Sequence, residues 1–165
     1  MSFLAASFNA NTLIGLTAAL LIGFAAVRKW AAGGQCTSRR KLDGKTVLIT
    51  GANSGIGFQT ALDLARRRAR VIIACRSAPL MEAAVAELRA RSSNPNVHGV
   101  LLDLGDLAQV RECAARFAAA EARLDILVLN AGVMAVPTHT KTKDGCDNCT
   151  MVSLIYFILC TYLLA

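Results

Sequence analysis

Hydrophobic residues in the middle of the chain follow two alternating patterns. Short apolar runs rich in β-branched residues are typical of buried parallel strands, and they occur at 46–50, 70–75, 97–104 and 124–130. Between these runs, apolar residues recur at helical spacing, at 56–68, 79–92 and 107–117. Asp106, with Gln109 three residues later, is a typical cap for the last of these helices. The order predicts an α/β fold, a Rossmann-like doubly wound parallel sheet of about four strands with right-handed crossovers.

An uncharged apolar stretch precedes this pattern. Residues 3–27 are long enough to cross the ~30 Å hydrocarbon layer as a helix. No charge precedes Arg28, whereas a cleaved secretory signal would carry positive charge there. Basic residues follow the stretch at once, which by the positive-inside rule keeps the downstream chain cytosolic. We therefore predict a single-pass anchor in the endoplasmic reticulum membrane with the body facing the cytosol. A buried helix of a soluble core is the alternative.

These patterns divide the chain into four predicted parts. They are a transmembrane anchor at 1–27, a basic linker at 28–43, the α/β domain at 44–145 and a divergent apolar tail at 146–165. Within the tail, Met151–Ala165 makes a helix of only about 22 Å, which is short of a full span. It is compatible with an interfacial or re-entrant segment, with a buried strand or helix, or with a sequence not selected to fold here.

Composition and charge exclude several classes of protein. Hydrophobic residues make up 55% of the 165 residues, which excludes intrinsic disorder. The formal net charge is +7, but residues 28–45 carry six bases and one acid, so little charge remains to favour a nucleic-acid partner. The six cysteines are scattered and do not form a disulfide framework. Cys146 and Cys149 lack a second pair for zinc, so we predict no metal site.

A glycine-rich turn joins the first predicted strand to the first predicted helix of the domain. Without side chains, its backbone can approach a pyrophosphate, and the free amides at the helix start can hold it. For the glycines alone, a tight turn is the alternative reading. The candidate binding residues are Gly51, Ala52, Asn53, Ser54, Gly55, Ile56 and Gly57.

Three motifs in order resemble the short-chain dehydrogenase/reductase superfamily, and most closely its membrane-anchored retinol dehydrogenases. They are the turn from Thr50 to Gly57, Asp103-Leu104 after the third strand, and Asn130-Ala131-Gly132 after the fourth. Lys141-Thr-Lys-Asp-Gly145 points the same way. The resemblance implies that residues 44–145 are the amino-terminal part of a dinucleotide-binding domain. It also implies hydride transfer between a nicotinamide cofactor and a lipophilic alcohol or carbonyl such as a retinoid.

The same resemblance implies roles for individual residues. Asp103 would bond the adenine amine with help from the Leu104 backbone. Asn130, Ala131 and Gly132 would line the adenine–ribose side and steady the central strand. For Asp103 alone, a helix-capping or solvent-facing acid is the alternative, and for Asn130 alone, a simple turn residue.

Arg76 decides the predicted choice of cofactor. It lies at the end of the second strand, where an acid bonds the ribose 2′-hydroxyl of NAD and a base accepts the 2′-phosphate of NADP. No Asp or Glu occurs between Asp63 and Glu82. We therefore predict NADP(H), with a solvated arginine after a strand as the alternative.

The catalytic Tyr-x-x-x-Lys motif of the superfamily is not identifiable. The tyrosines are Tyr156 and Tyr162, and no lysine follows Lys143. We therefore assign no catalytic residue and expect a truncated or alternatively spliced product that departs from the family after about Gly145. Two functions remain open: a retinol dehydrogenase-like oxidoreductase, or a catalytically incomplete nucleotide-binding membrane protein or non-functional product.

Overall fold

The computed structural model describes residues 10–34, 36–133 and 141–145. Two compact units divide the chain, Met1–Ser38 and Arg39–Ala165. The first contains helix α1, Ala10–Ala31. Of the predicted anchor, residues 3–9 lie outside the described residues, and the helix continues past Val27 to Ala31.

Helix α1 is apolar and long. Its segment Thr12–Ala31 has a mean hydropathy of 1.5 with none of its surface buried, and by length and composition it could cross a membrane. At 1.5 Å per residue the helix rises about 33 Å, close to the thickness of a hydrocarbon layer. Arg28 and Lys29 lie in its last turn, where they also suit the negative end of the helix dipole.

The second unit alternates strands and helices as the sequence predicts. Its elements are β1 (Thr46–Thr50), α2 (Gly55–Arg66), β2 (Arg70–Cys75), α3 (Ala78–Ser92), β3 (Val97–Leu101), α4 (Leu107–Ala120) and β4 (Ile126–Val128). The four strands form a parallel sheet in the order β3-β2-β1-β4. In the register, Leu48 of β1 lies opposite Ile72 of β2 on one side and Leu127 of β4 on the other.

Helices cover both faces of this sheet. On one face, α2 and α3 pack against Val47, Ile49 and Ile73. On the other face, α4 packs against Leu48 and Ile72. Both central strands are therefore buried on both sides, which explains their continuous apolar runs. The predicted doubly wound α/β fold is confirmed.

Several predicted boundaries are wrong by a few residues. Strand β3 ends at Leu101 instead of 104, because Leu102–Gly105 turn away at the end of the strand. Strand β4 spans only Ile126–Val128 instead of 124–130. Helix α2 ends at Arg66 because Arg68 adopts a left-handed conformation, φ +70°, that closes the helix.

A buried asparagine joins two turns at the edge where the strands begin, called here the amino edge. The side chain of Asn94, only 8% exposed, donates to the carbonyls of Ala65 and Ala69 at 2.9 Å each. Its oxygen accepts from the amide of Asn96 at 2.9 Å. The three bonds satisfy a polar group that would be costly to bury alone.

Ion pairs hold other residues of the amino edge. The Asp125 carboxylate accepts from Lys45 Nζ at 2.8 Å and from the Thr46 amide at 2.9 Å. These two bonds hold the pKa of the Asp125 carboxyl well below its usual range. Beside them, the Arg70 guanidinium donates to the carboxylate of Glu121 and also contacts His98 Nε2 at 3.0 Å. Burial and the positive charge of Arg70 lower the pKa of His98.

Candidate functional site

An open cleft of about 330 Å³ lies at the opposite edge of the sheet, where the strands end. The chain leaves β1 toward β2 and β3 on one side and returns to place β4 on the other. Ligands of doubly wound sheets bind at such a switch point. The lining residues are Thr50, Gly51, Asn53, Ser54, Ala74, Cys75, Arg76, Leu102, Asp103, Leu104, Gly105, Asn130, Ala131, Gly132 and Val133.

Most of the predicted binding residues meet in this cleft, although they come from four separate parts of the chain. Four do not line it. Ala52 is fully buried, Gly55 and Ile56 form the start of α2, and Gly57 is buried within its first turn.

Sequence reasoning missed six of the lining residues. Thr50 belongs to the Thr50–Gly57 motif but was not among the candidate binding residues. The others have no local pattern that separates them from ordinary strand ends, and they are Ala74, Cys75, Leu102, Gly105 and Val133.

The glycine-rich turn lies at the junction of β1 and α2, as predicted, and its backbone is closely packed. Gly51 has φ +65°, and a Cβ there would lie 2.8 Å from Ala131 Cα. A Cβ on Gly57 would lie 2.7 Å from the carbonyl oxygen of Gly51 and closer still to Asn130 Nδ2. Both positions therefore exclude a larger side chain by direct contact with residues far away in sequence.

Asn130 fixes the end of β4 to the end of β1. Its side-chain nitrogen donates to the carbonyls of Thr50, at 3.0 Å, and Gly51, at 3.1 Å. In return, the Thr50 hydroxyl accepts from the backbone amides of Asn130 and Ala131, each at 3.1 Å. These four bonds hold together the two strand ends that flank the switch point.

The start of α2 differs from the start of α4 in how it is capped. Ser54 occupies the cap position of α2, but its side chain forms no capping hydrogen bond. On α4, the carboxylate of Asp106 accepts from the amides of Ala108 and Gln109, which confirms the predicted cap. The side chain of the cap residue therefore leaves the first-turn amides of α2 unsatisfied. These amides and the positive end of the helix dipole face the edge of the cleft. This arrangement suits an anionic group such as a pyrophosphate.

Asp103 and Arg76 lie on the wall formed by β2 and the segment after β3. Asp103 Oδ1 accepts from the Gly105 amide at 2.8 Å, and the Asp103 amide donates to the side-chain oxygen of Gln109 at 3.3 Å. Arg76 directly follows Cys75, the last residue of β2. Burial raises the pKa of the Cys75 thiol, with the Ala52 and Asn53 amides acting in the opposite sense, so that the thiol stays protonated at neutral pH.

Residues 141–145 pack against the start of α4, beside the Asp103 wall. Lys143 Nζ donates to Asp106 Oδ2 at 2.8 Å, which raises the pKa of the lysine and lowers that of the carboxyl. Asp144 accepts from the Leu107 amide at 2.9 Å. The sequence alone suggested no contact between these segments.

Comparison with known proteins identifies the family. The short chain dehydrogenase family model matches residues 45–165. The chain belongs to the short-chain dehydrogenase family. The match runs past Gly145 to the last residue, whereas we predicted a departure there; residues 146–165 lie outside the described residues, and the predicted boundary stays a prediction.

Retinol dehydrogenases are among the similar members of this family. Retinol dehydrogenase 12 of Mus musculus is 49% identical over 138 residues, which is 84% of this chain and 43% of that protein. Retinol dehydrogenase 13 of Homo sapiens is 46% identical over 135 residues, 81% of this chain and 40% of that protein. The chain thus spans less than half the length of these curated relatives.

Solved structures share the fold of the second unit. An uncharacterised protein from Mycobacterium Paratuberculosis matches with a TM-score of 0.65 at 40% identity, over 76% of this chain and 43% of that one. The RhlG/NADP active-site complex of Pseudomonas aeruginosa matches with a TM-score of 0.63 at 28% identity, over 78% of this chain and 48% of that one.

Proposed function

We propose that this short-chain dehydrogenase is a membrane-anchored, NADP(H)-dependent oxidoreductase that acts on lipophilic alcohols or carbonyls, as retinol dehydrogenases do. The observation that carries the proposal is the cleft at the switch point, where a glycine-rich turn, an uncapped helix start and Arg76 meet. The cleft lies within the size range of small-ligand sites, roughly 300–1,000 Å³.

Each wall of the cleft has a part in holding the cofactor. Gly51–Gly57 would hold the pyrophosphate on backbone amides at the start of α2. Asp103 and the Leu104 backbone would bind the adenine, and Asn130–Gly132 would line the adenine–ribose side. When bound, the cofactor's nicotinamide would exchange a hydride with the substrate carbon.

Arg76 would select NADP(H) over NAD(H). A guanidinium can bind a 2′-phosphate through two charge-assisted hydrogen bonds, whereas the acid of NAD-selective enzymes would repel it. The similar structure of the Pseudomonas aeruginosa RhlG/NADP complex also supports this choice. Its NADP belongs to that protein, and we extend it to this chain as a proposal.

The substrate class and location are proposed from two features. The similar proteins at 46–49% identity are named as retinol dehydrogenases, which suggests a retinoid or a similar lipophilic substrate. Helix α1 could place the chain in the bilayer into which such substrates partition. The bases in residues 28–45 favour an orientation with the domain in the cytosol, and we propose the endoplasmic reticulum as the membrane.

A second candidate is nucleotide binding without turnover. It is favoured by one observation: residues 1–165 contain no Tyr-x-x-x-Lys motif. The cleft would then bind NADP(H), and the chain would not reduce or oxidise a substrate by itself.

Titration and turnover of the full chain in lipid nanodiscs distinguish these candidates. NADPH and NADH binding is followed by nicotinamide fluorescence, and retinal reduction by absorbance. Replacing Arg76 with Gln should weaken NADPH about tenfold to a hundredfold, the value of a hydrogen bond to a charged group, and change NADH little. Arg111→Gln, an exposed base on α4, is the matched control.

The outcomes separate cleanly. NADPH binding with retinal turnover supports the oxidoreductase, and binding without turnover selects the second candidate. Absence of NADPH binding contradicts both. Equal losses of NADPH and NADH affinity in Arg76→Gln would contradict the proposed role of that residue alone.

A further inference from the structure

A basic corner lies at the amino edge of the sheet, on the side opposite the cofactor cleft. Two segments form it: residues Arg39–Lys41, which precede β1, and the turn Arg66–Arg68 at the end of α2. The contacts that join the segments lie in the second unit. Leu42 donates its amide to the carbonyl of Arg67 at 2.7 Å, and Arg70 donates to the carbonyl of Lys45 at 2.9 Å.

The corner carries a clear excess of positive charge. Six bases, Arg39, Arg40, Lys41, Arg66, Arg67 and Arg68, stand against two neighbouring acids, Asp43 and Asp63. Arg67 pairs with Asp63 at 2.8 Å, and Arg68 contacts Asp43 at 3.7 Å. The side chain of Arg68 nevertheless remains 65% exposed. Six bases and two acids leave residues 39–43 and 63–68 with a net charge of +4, so the corner presents a positive field to solvent.

An open groove runs beside these bases. It has a volume of about 560 Å³ and includes Arg66 and Arg68 on one side. On the other side lies the turn between α3 and β3, where the side chains of Ser93 and Asn96 are exposed. Asp43, which pairs with Arg68, also lines the groove. Guanidinium groups beside hydroxyl and amide donors are the chemistry that binds phosphate esters.

The fold places this corner away from the cleft. In a parallel sheet, every turn from a helix into the next strand lies where strands begin, and every turn from a strand into a helix lies where strands end. The turn Arg66–Arg68 is of the first kind, whereas the turn Gly51–Ser54 is of the second. A surface bound to the basic corner would therefore leave the cofactor cleft open.

We propose that the basic corner docks the domain onto anionic lipid headgroups of the membrane that α1 crosses. This docking rests on the membrane anchoring in the proposed function. Only residues 32–38 separate α1 from Arg39, a stretch that reaches at most roughly 30 Å. A tether this short holds the corner near the headgroups, and each base close to an anionic surface favours the bound state about fivefold.

Hydrogen exchange of the full chain in nanodiscs tests the docking. Nanodiscs of phosphatidylcholine are compared with nanodiscs that also contain phosphatidylserine. We expect slower exchange of the amides at 39–45, 66–70 and 92–96 only with phosphatidylserine, by at least about fivefold, and loss of that protection in high salt. The amides at 50–54, in the cleft, should be unchanged.

Charge-neutralising variants make the test specific. Arg66→Gln with Arg68→Gln should abolish the lipid-dependent protection and leave NADPH affinity unchanged. The matched control is Arg111→Gln with Arg116→Gln, two exposed bases of α4, which should retain it. Equal loss in both double variants would overturn the proposal, because it would show a general effect of net charge.

Other outcomes have separate meanings. A chain that does not float with phosphatidylcholine vesicles overturns both the anchoring and the docking. A chain that floats but shows no phosphatidylserine-dependent protection overturns the docking alone. Protection produced by inorganic phosphate in phosphatidylcholine nanodiscs, with no further effect of phosphatidylserine, would identify a soluble phosphate ligand and overturn the lipid assignment.

Discussion

Replacing Gly57 with Ala tests whether the glycine-rich turn is held by packing against β4. A Cβ at this position would lie 2.7 Å from the carbonyl oxygen of Gly51 and 3.0 Å from Ala52 Cα, and closer still to Asn130 Nδ2. Two of these neighbours are backbone atoms and cannot rotate away. The Asn130 amide is fixed by its bonds to Thr50 and Gly51, so that moving it breaks the link between β1 and β4.

The expected cost follows from two opposing effects. Crowding in a packed region costs up to about 3 kcal/mol. Alanine in a helix is about 1 kcal/mol more favourable than glycine, which offsets part of this. We therefore expect a net loss of about 2 kcal/mol in the free energy of unfolding, or a fall of about 8 °C in Tm for a unit of this size.

Two other glycines provide graded controls. Gly132 lines the same cleft, but a Cβ there would meet nothing within 4 Å, so Gly132→Ala should change stability by less than about 0.5 kcal/mol. Gly55 also has open space, yet its φ is +60°, and Gly55→Ala should cost about 1 kcal/mol through backbone strain alone. The predicted order of destabilisation is Gly57, Gly55, Gly132.

Hydrogen exchange of the buried β1 and β2 amides, without cofactor, is the suitable assay. The single tryptophan, Trp30, lies in α1, whereas the amides of β1 and β2 report directly on the second unit. The reasoning is refuted if Gly57→Ala unfolds within about 0.5 kcal/mol of the parent chain, or if Gly132→Ala is destabilised as strongly.

Three further predictions concern the amino edge of the sheet. Asn94→Ala should lower the free energy of unfolding by about 2 kcal/mol, because it removes the three hydrogen bonds of a buried side chain to the backbone, whereas the exposed Asn96→Ala removes none of them. Equal exchange rates in the two variants would contradict this. The pKa of His98 is lower in the folded than in the unfolded chain, so the unfolded state binds more protons and stability falls as pH drops below about 6.5. His98→Gln should therefore lose less stability than the parent chain between pH 7.5 and 5.5. Parallel stability profiles of the two chains against pH would refute the assignment. Because the pKa of Asp125 is lower in the folded chain, its carboxylate stabilises the fold above about pH 4. Asp125→Asn should therefore lower Tm at pH 7, by a difference from the parent chain that shrinks as pH falls below 4. A difference that does not change with pH would exclude the ion pair with Lys45 as the cause of the lower Tm.

The sequence by itself determined the class of the fold and the parts of it that depend on local patterns. The bounds predicted for β1 and β2 match the structure, because strands buried on both faces are continuously apolar and their ends coincide with the ends of those runs. Asp106 identified the start of α4 because a cap bonds amides only two and three residues away. The glycine-rich turn was visible because three glycines, at 51, 55 and 57, fall between a predicted strand and a predicted helix.

Only the tertiary structure decided which residues meet. The bond from Asn130 to Thr50 joins positions 80 residues apart, and the lysine that pairs with Asp106 is 37 residues further along the chain. Strand β3 ends at Leu101, opposite the last residue of β2, and β4 pairs with only three residues of β1. The apolar runs do not encode either limit, because a run of residues does not specify its pairing partner. Periodicity records the environment of one element, whereas the cleft, the Asn94 bonds and the basic corner arise from the order in which the sheet brings distant turns together.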